Sequence, residues 1–397
     1  MKHGTLLCLV VCALVAVSAC AHAATIDVGL GGGYTYNTIQ AGINAATNGD
    51  TVVVHDGVYT GTGNRDIDFG GRRITVRSAN GAASTIVDCQ RAGRGFYFHS
   101  LETSLSVLEG FTVRNGQGPT SGGEEVLGGT GGGGIYCTGS SPTIRGCVFS
   151  GNDGACGGGI NANYGSNVLV TDCMFVGNTA SDGAGFWGGS SEFSITGCIF
   201  LQNSARRCGG AIRTNTANTT ITNCLIYNNT TPGWGGGIVF ADGGAMSVLD
   251  CTIADNFISG GGAGVGGIAV CDTFNFFDAT NCVLWGNANG QIYHDPVASP
   301  GPVTVTYTDA QASTGELWFD PLTCLDAYPL FTAGYHLLSG SPCVNTGTDV
   351  GVYVDLDGNV RPLLGGFDAW VEQGYPVEPH RGAAAQVAVF SDPGTSG

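Results

Sequence analysis

The feature that most constrains this chain is a segment that recurs six times at a nearly constant interval. Each copy places an aliphatic residue or alanine three positions before a cysteine and an asparagine five positions after it. Successive cysteines are 26, 25, 26, 27 and 31 residues apart. The six cysteines are Cys147, Cys173, Cys198, Cys224, Cys251 and Cys282. Such an interval predicts a solenoid, in which every copy buries its apolar side against the next.

The residue pattern inside one copy predicts short strands separated by corners. Ile144 would point inward and Arg145 outward, which is the alternation of a strand. The next residue is always Gly, Asp or Asn, the types that tolerate a left-handed bend. After the bend Cys147 and Phe149 would point inward, and a glycine-rich motif, Gly157 to Ile160, would lead into a third strand. We therefore predict an all-β fold, a single-stranded right-handed parallel β-helix with three short strands per coil.

Two inward-facing columns follow from this fold, and both are interpreted as structural. The six cysteines would form a ladder of small buried side chains, because ligands on a ladder do not converge on one metal ion. Disulfides between neighbouring rungs remain open, although their dihedral angle fits in-register strands poorly. A second ladder would consist of stacked amides. Its members are Asn152, Asn178, Asn203, Asn229, Asn256 and Asn287.

The two ends of the chain differ from the repeats. A basic start and an apolar run from Leu6 to Val17 predict a signal peptide cleaved after Ala23, or alternatively a lipobox that would leave a lipidated Cys20. The protein is therefore expected to be secreted or on the outer surface of a bacterial-type cell, without a transmembrane span. The predicted boundaries are 1–23 signal peptide, 24–50 cap with a helix over 38–47, 51–310 β-helix, 311–375 irregular C-terminal cap region and 376–397 disordered tail.

Composition narrows the classes of partner. Charged residues are 11% of the chain and the formal net charge is −17, so a nucleic-acid partner is not expected. Lys2 is the only lysine and lies in the predicted signal peptide, which excludes a lyase that uses a lysine base. We expect a monomer.

Several motifs resemble known families. Phe149-x-x-Asn152, its two following copies and Gly209-Gly-Ala-Ile212 resemble the FxxN and GGA[ILV] repeats of polymorphic outer-membrane proteins, and the chain resembles the pectin-lyase-like superfamily more broadly. Residues 335–338, 341–343 and 355–362 are similar to the choice-of-anchor family, although Asp368-Ala-Trp-Val-Glu372 departs from that family's closing motif. The resemblance implies the fold and a surface location, but no particular activity, because this fold hosts lyases, hydrolases, adhesins and stalks.

A candidate glycan site lies beside the glycine-rich motif. Asn161, Trp187 and Arg213 would face outward on consecutive coils, where Trp187 offers a stacking surface and Arg213 a carboxylate clamp for an acidic sugar. Arg206 and Arg207 precede Arg213 and add positive charge. The alternative interpretation of these five residues is a solvated face with one exposed aromatic side chain.

Two functions remain open at this stage. The first is a non-catalytic binding, adhesion or structural protein with a carbohydrate ligand, a polysaccharide or a cell-surface glycan. The alternative is a polysaccharide lyase or glycoside hydrolase acting on an acidic polysaccharide. No cofactor or metal is predicted. Ca²⁺ would enter only with a lyase, whose candidate ligands Asp182, Asp242 and Asp272 do not obviously converge, and Asp355 to Asn359 is interpreted as a turn rather than a Ca²⁺ loop.

Overall fold

The chain winds into a solenoid of parallel strands in a computed structural model. The structure describes residues 23–118, 131–260, 264–271, 275–294, 301–313, 315–332, 334–338, 340–344 and 346–348. Several predicted features lie outside the described residues. They are the predicted signal peptide with its lipobox alternative (apart from Ala23), Asp272, the turn starting at Asp355 and the predicted tail. In the part of the chain described, no helix is both long enough and apolar enough to cross a membrane.

The first half of the solenoid contains one helix and the following strands. These elements are β1 Thr25–Val28, α1 Ile39–Ala45, β2 Thr51–Val54, β3 Gly57–Tyr59, β4 Ile67–Asp68, β5 Thr75–Ser78, β6 Thr85–Asp88, β7 Phe96–Phe98, β8 Val107–Glu109, β9 Thr112–Arg114, β10 Ile135–Thr138, β11 Thr143–Arg145, β12 Val148–Ser150, β13 Asp153–Cys156, β14 Ile160–Asn163, β15 Leu169–Thr171, β16 Met174–Val176 and β17 Thr179–Asp182.

The second half continues with strands alone among the described residues. These are β18 Phe186–Gly189, β19 Glu192–Thr196, β20 Ile199–Leu201, β21 Ser204–Cys208, β22 Ile212–Thr222, β23 Leu225–Tyr227, β24 Thr230–Thr231, β25 Ile238–Leu249, β26 Thr252–Ala254, β27 Phe257–Ile258, β28 Ile268–Val270, β29 Asn275–Thr280, β30 Val283–Trp285, β31 Ile292–His294, β32 Val303–Thr306 and β33 Asp309–Ala310.

The strands form three sheets that run along the solenoid, which confirms the predicted β-helix. In one coil, β14 and β15 belong to the first sheet, β16 to the second and β17 to the third. Each strand pairs in parallel with its equivalent in the next coil, for example Phe149 with Phe175 and Phe175 with Phe200. Stacked strands of this kind lie about 4.8 Å apart along the axis.

The sheets do not divide the coil quite as the sequence analysis expected. The sequence analysis predicted two separate kinds of strand, one that begins at residues such as Ile160 and one that ends at residues such as Arg145. Both kinds belong to the first sheet, and they fuse in β22 and β25. The third sheet is built from segments such as Asp153–Cys156, which the sequence analysis did not predict as strands. Asp153–Cys156 contains Asp, Gly and Ala, which are depleted in strands generally and conceal this strand.

The predicted left-handed bends are confirmed at all six positions. The φ angles are 59° at Gly146, 52° at Asp172, 63° at Gly197, 53° at Asn223, 54° at Asp250 and 57° at Asn281. Each residue turns the chain from the first sheet into the second. A β-branched side chain would be strained there, which explains the restriction to Gly, Asp and Asn.

The interior contains the predicted ladders. All six repeat cysteines are buried, and they are thiols rather than disulfides. Burial raises the pKa of Cys198 and Cys224 well above the ordinary thiol value. Beside them the rings of Phe149, Phe175 and Phe200 stack at centroid distances of 5.0 and 4.5 Å. The core is therefore a set of like-on-like columns parallel to the axis.

The N-terminal end is closed by α1. Thr38 caps it, with its hydroxyl accepting a hydrogen bond from the Ala41 backbone N–H at 3.3 Å. Ile39 and Ile43 are fully buried. Before this helix, β1 already pairs with β2, whereas the sequence analysis placed the first strand at Thr51. The first rung of the solenoid thus precedes its cap in sequence.

Candidate functional site

One column of side chains that point away from the solenoid interior runs along the first sheet, and we call it the outer column. Its members, in order along the axis, are Asp68, Tyr97, Tyr136, Asn161, Trp187, Arg213, Val239, Ala269 and Tyr293. Because the pairing is in register, neighbours are one coil apart, about 4.8 Å. The structure therefore places Asn161, Trp187 and Arg213 on consecutive coils, as the sequence analysis expected.

Their predicted exposure is wrong. The exposed fractions are 0% for Asn161, 3% for Trp187 and 8% for Arg213. The Asn161 amide nitrogen donates to the carbonyl of Cys156 at 3.2 Å, so the third sheet folds close over this side of the column. The Trp187 ring lies across Gly189, where a Cβ would come within 2.5 Å of it. Trp187 therefore offers no open stacking surface.

A buried arginine–carboxylate network occupies the place of the predicted clamp. The Asp182 carboxylate, 1% exposed, accepts a hydrogen bond from Arg213 Nη1 at 2.7 Å and others from Arg207, including one from Nε at 3.0 Å. Arg213 Nε also donates to Asn215 Oδ1 at 2.8 Å. Arg213 is thereby held in one orientation, and two guanidinium groups share a single carboxylate.

Arg206 and Arg207 are the predicted site residues that reach solvent. Their side chains are 54% and 38% exposed. Arg206 Nη2 donates to Asp153 Oδ1 at 2.7 Å, and the Thr179 hydroxyl donates to the same carboxylate oxygen at 2.9 Å. The two arginines thus stand on the third sheet, at the rim of the outer column.

The sequence analysis missed a cleft nearer the N-terminal end. It has a volume of about 400 Å³ and is lined by Asp66, Arg91, Ala92, Gly93, Arg94, Gln117 and Gly118. Arg94 is 9% exposed, and its Nη1 has no hydrogen-bond partner among the described residues. A buried guanidinium nitrogen without an acceptor is costly unless a ligand or an ordered water supplies one.

Aromatic rings support the Arg94 guanidinium. Its Cζ lies 4.7 Å from the centroid of the Tyr97 ring and 5.1 Å from that of Tyr136. The rings of Tyr97 and Tyr136 stack at 5.4 Å, and Tyr97 stacks on His99 at 3.9 Å. Burial lowers the pKa of Arg94, and the Asp66 carboxylate 3.5 Å from its Nε opposes that shift. The cation remains charged because an arginine pKa starts so high.

The sequence contains a motif from which the position of this cleft could have been predicted. Phe96 pairs with Ile135, and Ile135 pairs with Ile160, so Gly95-Phe96-Tyr97 is an early copy of the glycine-rich motif. Aligning that copy with the later ones would have put Tyr97 and Tyr136 in the outer column. The early coils have longer and less regular spacings, and for that reason the copy was not recognised.

The cleft and the exposed arginines lie along one rim. Gln117 donates its backbone N–H to Gly93 at 2.8 Å and pairs with Asp153 in the next coil. Asp153 pairs with Thr179, and Thr179 with Ser204, two residues before Arg206. Four coil spacings separate Gly93 from Ser204, or roughly 19 Å. An extended polymer lying along the axis could contact both positions.

Candidate lyase metal ligands are not assembled in the described part of the chain. No group of three or more His, Cys, Asp or Glu side chains there is arranged to hold a metal ion. Asp182 is engaged by arginines, and Asp242 Oδ2 accepts a hydrogen bond from the Asn215 amide at 2.5 Å.

Comparison with known proteins agrees with the geometry. The family model described as "Right handed beta helix region" matches residues 133–296. The crystal structure of pectate lyase Pel9A superposes with a TM-score of 0.50 at 14% identity, covering 86% of this chain and 95% of that one. The chain is a right-handed parallel β-helix. A search of the curated proteins found no match.

Two further solved structures resemble this β-helix more distantly. The A-module of the Azotobacter vinelandii mannuronan C-5 epimerase AlgE6 is 13% identical, with coverage of 68% and 93% and a TM-score of 0.27. The catalytic domain of a GH87 alpha-1,3-glucanase is 11% identical, with coverage of 70% and 67% and a TM-score of 0.27. At these values neither supports an argument about activity. The choice-of-anchor resemblance of the C-terminal region stays a prediction.

Proposed function

We propose that this β-helix is an exported, non-catalytic carbohydrate-binding protein that takes an anionic polysaccharide along the rim of its outer column. One end of the binding surface is the Arg94 cleft, and the other is formed by Arg206 and Arg207. The observation that carries the proposal is the Arg94 guanidinium, which is buried over two tyrosine rings and keeps one nitrogen without an acceptor.

The cleft chemistry fits a carboxylate or sulfate ester on a sugar. An anionic oxygen at Arg94 Nη1 would form a charge-assisted hydrogen bond, the stronger kind in proteins. Tyr97 and His99, which are partly exposed and stacked, can pack against a sugar ring. Arg91 is exposed at the mouth of the cleft and adds a second positive charge.

Binding is favoured over lyase chemistry by the state of Arg213. A lyase alternative that uses an arginine base would have to free Arg213, whose Nη1 already donates to the Asp182 carboxylate at 2.7 Å. Arg213 is only 8% exposed and its Nη1 and Nε both donate to side chains of the protein, so it is not placed to reach the proton of a bound sugar.

The test uses the mature chain beginning at Ala24 with pectins, alginates, glycosaminoglycans and neutral glucans. We expect measurable binding to an anionic polymer by calorimetry, and a loss of roughly tenfold or more in Arg94→Gln, since a hydrogen bond to a charged group contributes about 1.5–3 kcal/mol. Arg91→Gln, an exposed change, should weaken binding by a few-fold without affecting the fold.

The control is Arg145→Gln on the outer face of β11, away from the cleft. Arg145 Nη2 pairs there with Glu109 Oε2 at a distance of 2.8 Å. It should bind like the wild type. Circular dichroism checks that each variant is folded. If Arg94→Gln and Arg91→Gln both bind normally, the cleft is not the site. Unsaturated uronates or new reducing ends released from any polymer would replace the proposal with the enzymatic alternative.

A further inference from the structure

The outer face of the second sheet is apolar over several coils. Two columns of side chains point outward from it. One column is Val148, Met174, Ile199, Leu225, Thr252 and Val283, and the other is Ser150, Val176, Leu201, Tyr227, Ala254 and Trp285. No charged residue interrupts either column over these coils. A flat apolar surface of this kind is unusual on a monomer and marks a contact site.

The C-terminal end of this face is already covered by the chain itself. Residues 328–332 and 334–338 fold back over it from the last coil. The Tyr328 ring packs against Trp285 at a centroid distance of 5.8 Å, and the Tyr335 ring against Tyr227 at 4.9 Å. The Tyr335 hydroxyl donates to Asp255 Oδ2 at 2.5 Å, which fixes the tip of the segment.

Outward-facing residues in the coils that this contact covers are buried. Ala254 and Val283, in the covered coils, are 1% and 8% exposed. Upstream of Tyr227 the outward residues remain partly exposed. We call this uncovered part the apolar face, and its members are Val148, Met174, Val176, Ile199, Leu201 and Leu225. At its N-terminal border the columns become polar, with Arg114 Nε paired to Asp88 at 2.9 Å.

We propose that the apolar face is the docking surface for residues 349–375 of the same chain. Thr348 is the last described residue and is held beside this sheet, because its N–H donates to Asn281 Oδ1 at 2.8 Å and its carbonyl accepts from Asn281 Nδ2 at 2.6 Å. Asn281 is the bend that leads into β30. The docked segment would continue the contact that Tyr328 and Tyr335 begin.

Length and composition of the segment suit this surface. From the coil of β30 to that of Met174 is four coil spacings, roughly 19 Å, which about six extended residues can span. The 27 residues of the segment include apolar side chains at Val352, Val354, Leu363, Leu364 and Trp370. A tethered segment also has an effective concentration that a separate partner lacks.

Methionine oxidation in the full chain tests the proposal. Met174 lies on the apolar face and Met246 is 0% exposed, so one peroxide treatment followed by peptide mass spectrometry reports the face together with an internal reference. The variant Leu363→Asp, Leu364→Asp, Trp370→Asp should oxidise Met174 several-fold faster than the wild type, because oxidation follows exposure. Met246 should stay protected in both.

A matched triple change beyond the segment, Val387→Asp, Val389→Asp, Phe390→Asp, should leave the Met174 rate unchanged. Equal Met174 rates in the wild type and the first variant would overturn the proposal. A wild-type rate that rises on dilution, with no effect of the variant, would show that a second copy covers the face instead.

As a second measurement, Leu201→Asp on the face should make the bonds after Phe367 and Trp370 more sensitive to chymotrypsin, while the bond after Phe390 keeps its rate.

Discussion

Single residues at the bends decide how each coil turns. The six positions between the first and second sheets have φ between 52° and 63°, and only Gly, Asp and Asn occupy them. Asp172 shows how the residue type matters at a bend. Its side chain is a carboxyl that can carry a charge, whereas Asn223 and Asn281 have neutral amides at the equivalent positions. Burial raises the pKa of Asp172, so the fold disfavours its ionised form.

Asp172→Asn should therefore stabilise the protein near neutral pH. A carboxyl whose pKa is raised in the folded state contributes favourably only while protonated, and that contribution is lost as pH rises from the ordinary value of 3.8 through the folded value. Denaturant unfolding at pH 7 and at pH 3 measures the difference. The gain should be present at pH 7 and absent at pH 3, whereas Glu192→Gln on the exposed surface should change little. A gain that persists at pH 3 would mean that backbone preference, not charge, is responsible.

Ladders of identical side chains are the elements that join the coils. Each repeat asparagine uses both ends of its amide. Asn203 Oδ1 accepts from the backbone N–H and the amide of Asn178 at 3.1 and 2.9 Å, and its Nδ2 donates to Phe175 and Asn229 at 2.9 Å each. The side chain is fully buried, so water cannot replace these partners.

Asn203→Ala should be among the most destabilising single changes. It removes four hydrogen bonds and leaves buried donors and acceptors unsatisfied, which costs about 1–3 kcal/mol for each orphaned group. We expect a loss of roughly 3 kcal/mol or more in the free energy of unfolding, measured with urea. Asn44→Ala in α1, where the amide is exposed, is the control and should cost well under 1 kcal/mol. A comparable loss in both variants would contradict a structural role for the ladder.

The net charge of the whole molecule repels the proposed anionic ligand. The formal net charge is −17, so an acidic polysaccharide is repelled at long range, while Arg91 and Arg94 attract it only within the cleft. Salt screens long-range repulsion more than short, partly buried contacts, with a Debye length near 10 Å at about 0.1 M.

Association with an anionic polysaccharide should therefore accelerate as salt rises from about 0.01 to about 0.1 M, over which the Debye length falls roughly threefold. Stopped-flow fluorescence or biolayer interferometry can follow the association rate. A neutral glucan, if it binds, should show no such dependence. An association rate that falls steadily with salt would mean that the local arginines, and not the net charge, control the encounter.

The sequence by itself determined the repeating architecture. Spacing of the cysteines, inward alternation around Phe149 and the residue types at the bends all depend on local chain geometry, which a short segment encodes completely. The members of the cysteine and asparagine ladders were predictable for the same reason, because in-register stacking places equivalent residues of successive coils in one column. Strands of the third sheet such as Asp153–Cys156 were missed because their glycine and polar residues carry no strand pattern of their own.

Only the tertiary structure decided what the outer surface offers. Trp187 and Arg213 do share neighbouring coils, but the third sheet closes over them and Asp182 neutralises the arginine. Arg94 acquires its importance from Tyr136, 42 positions later, and from a Gln117 loop in the adjoining coil. Exposure and charge pairing depend on residues that are distant in sequence and meet only after folding, and no local pattern records them.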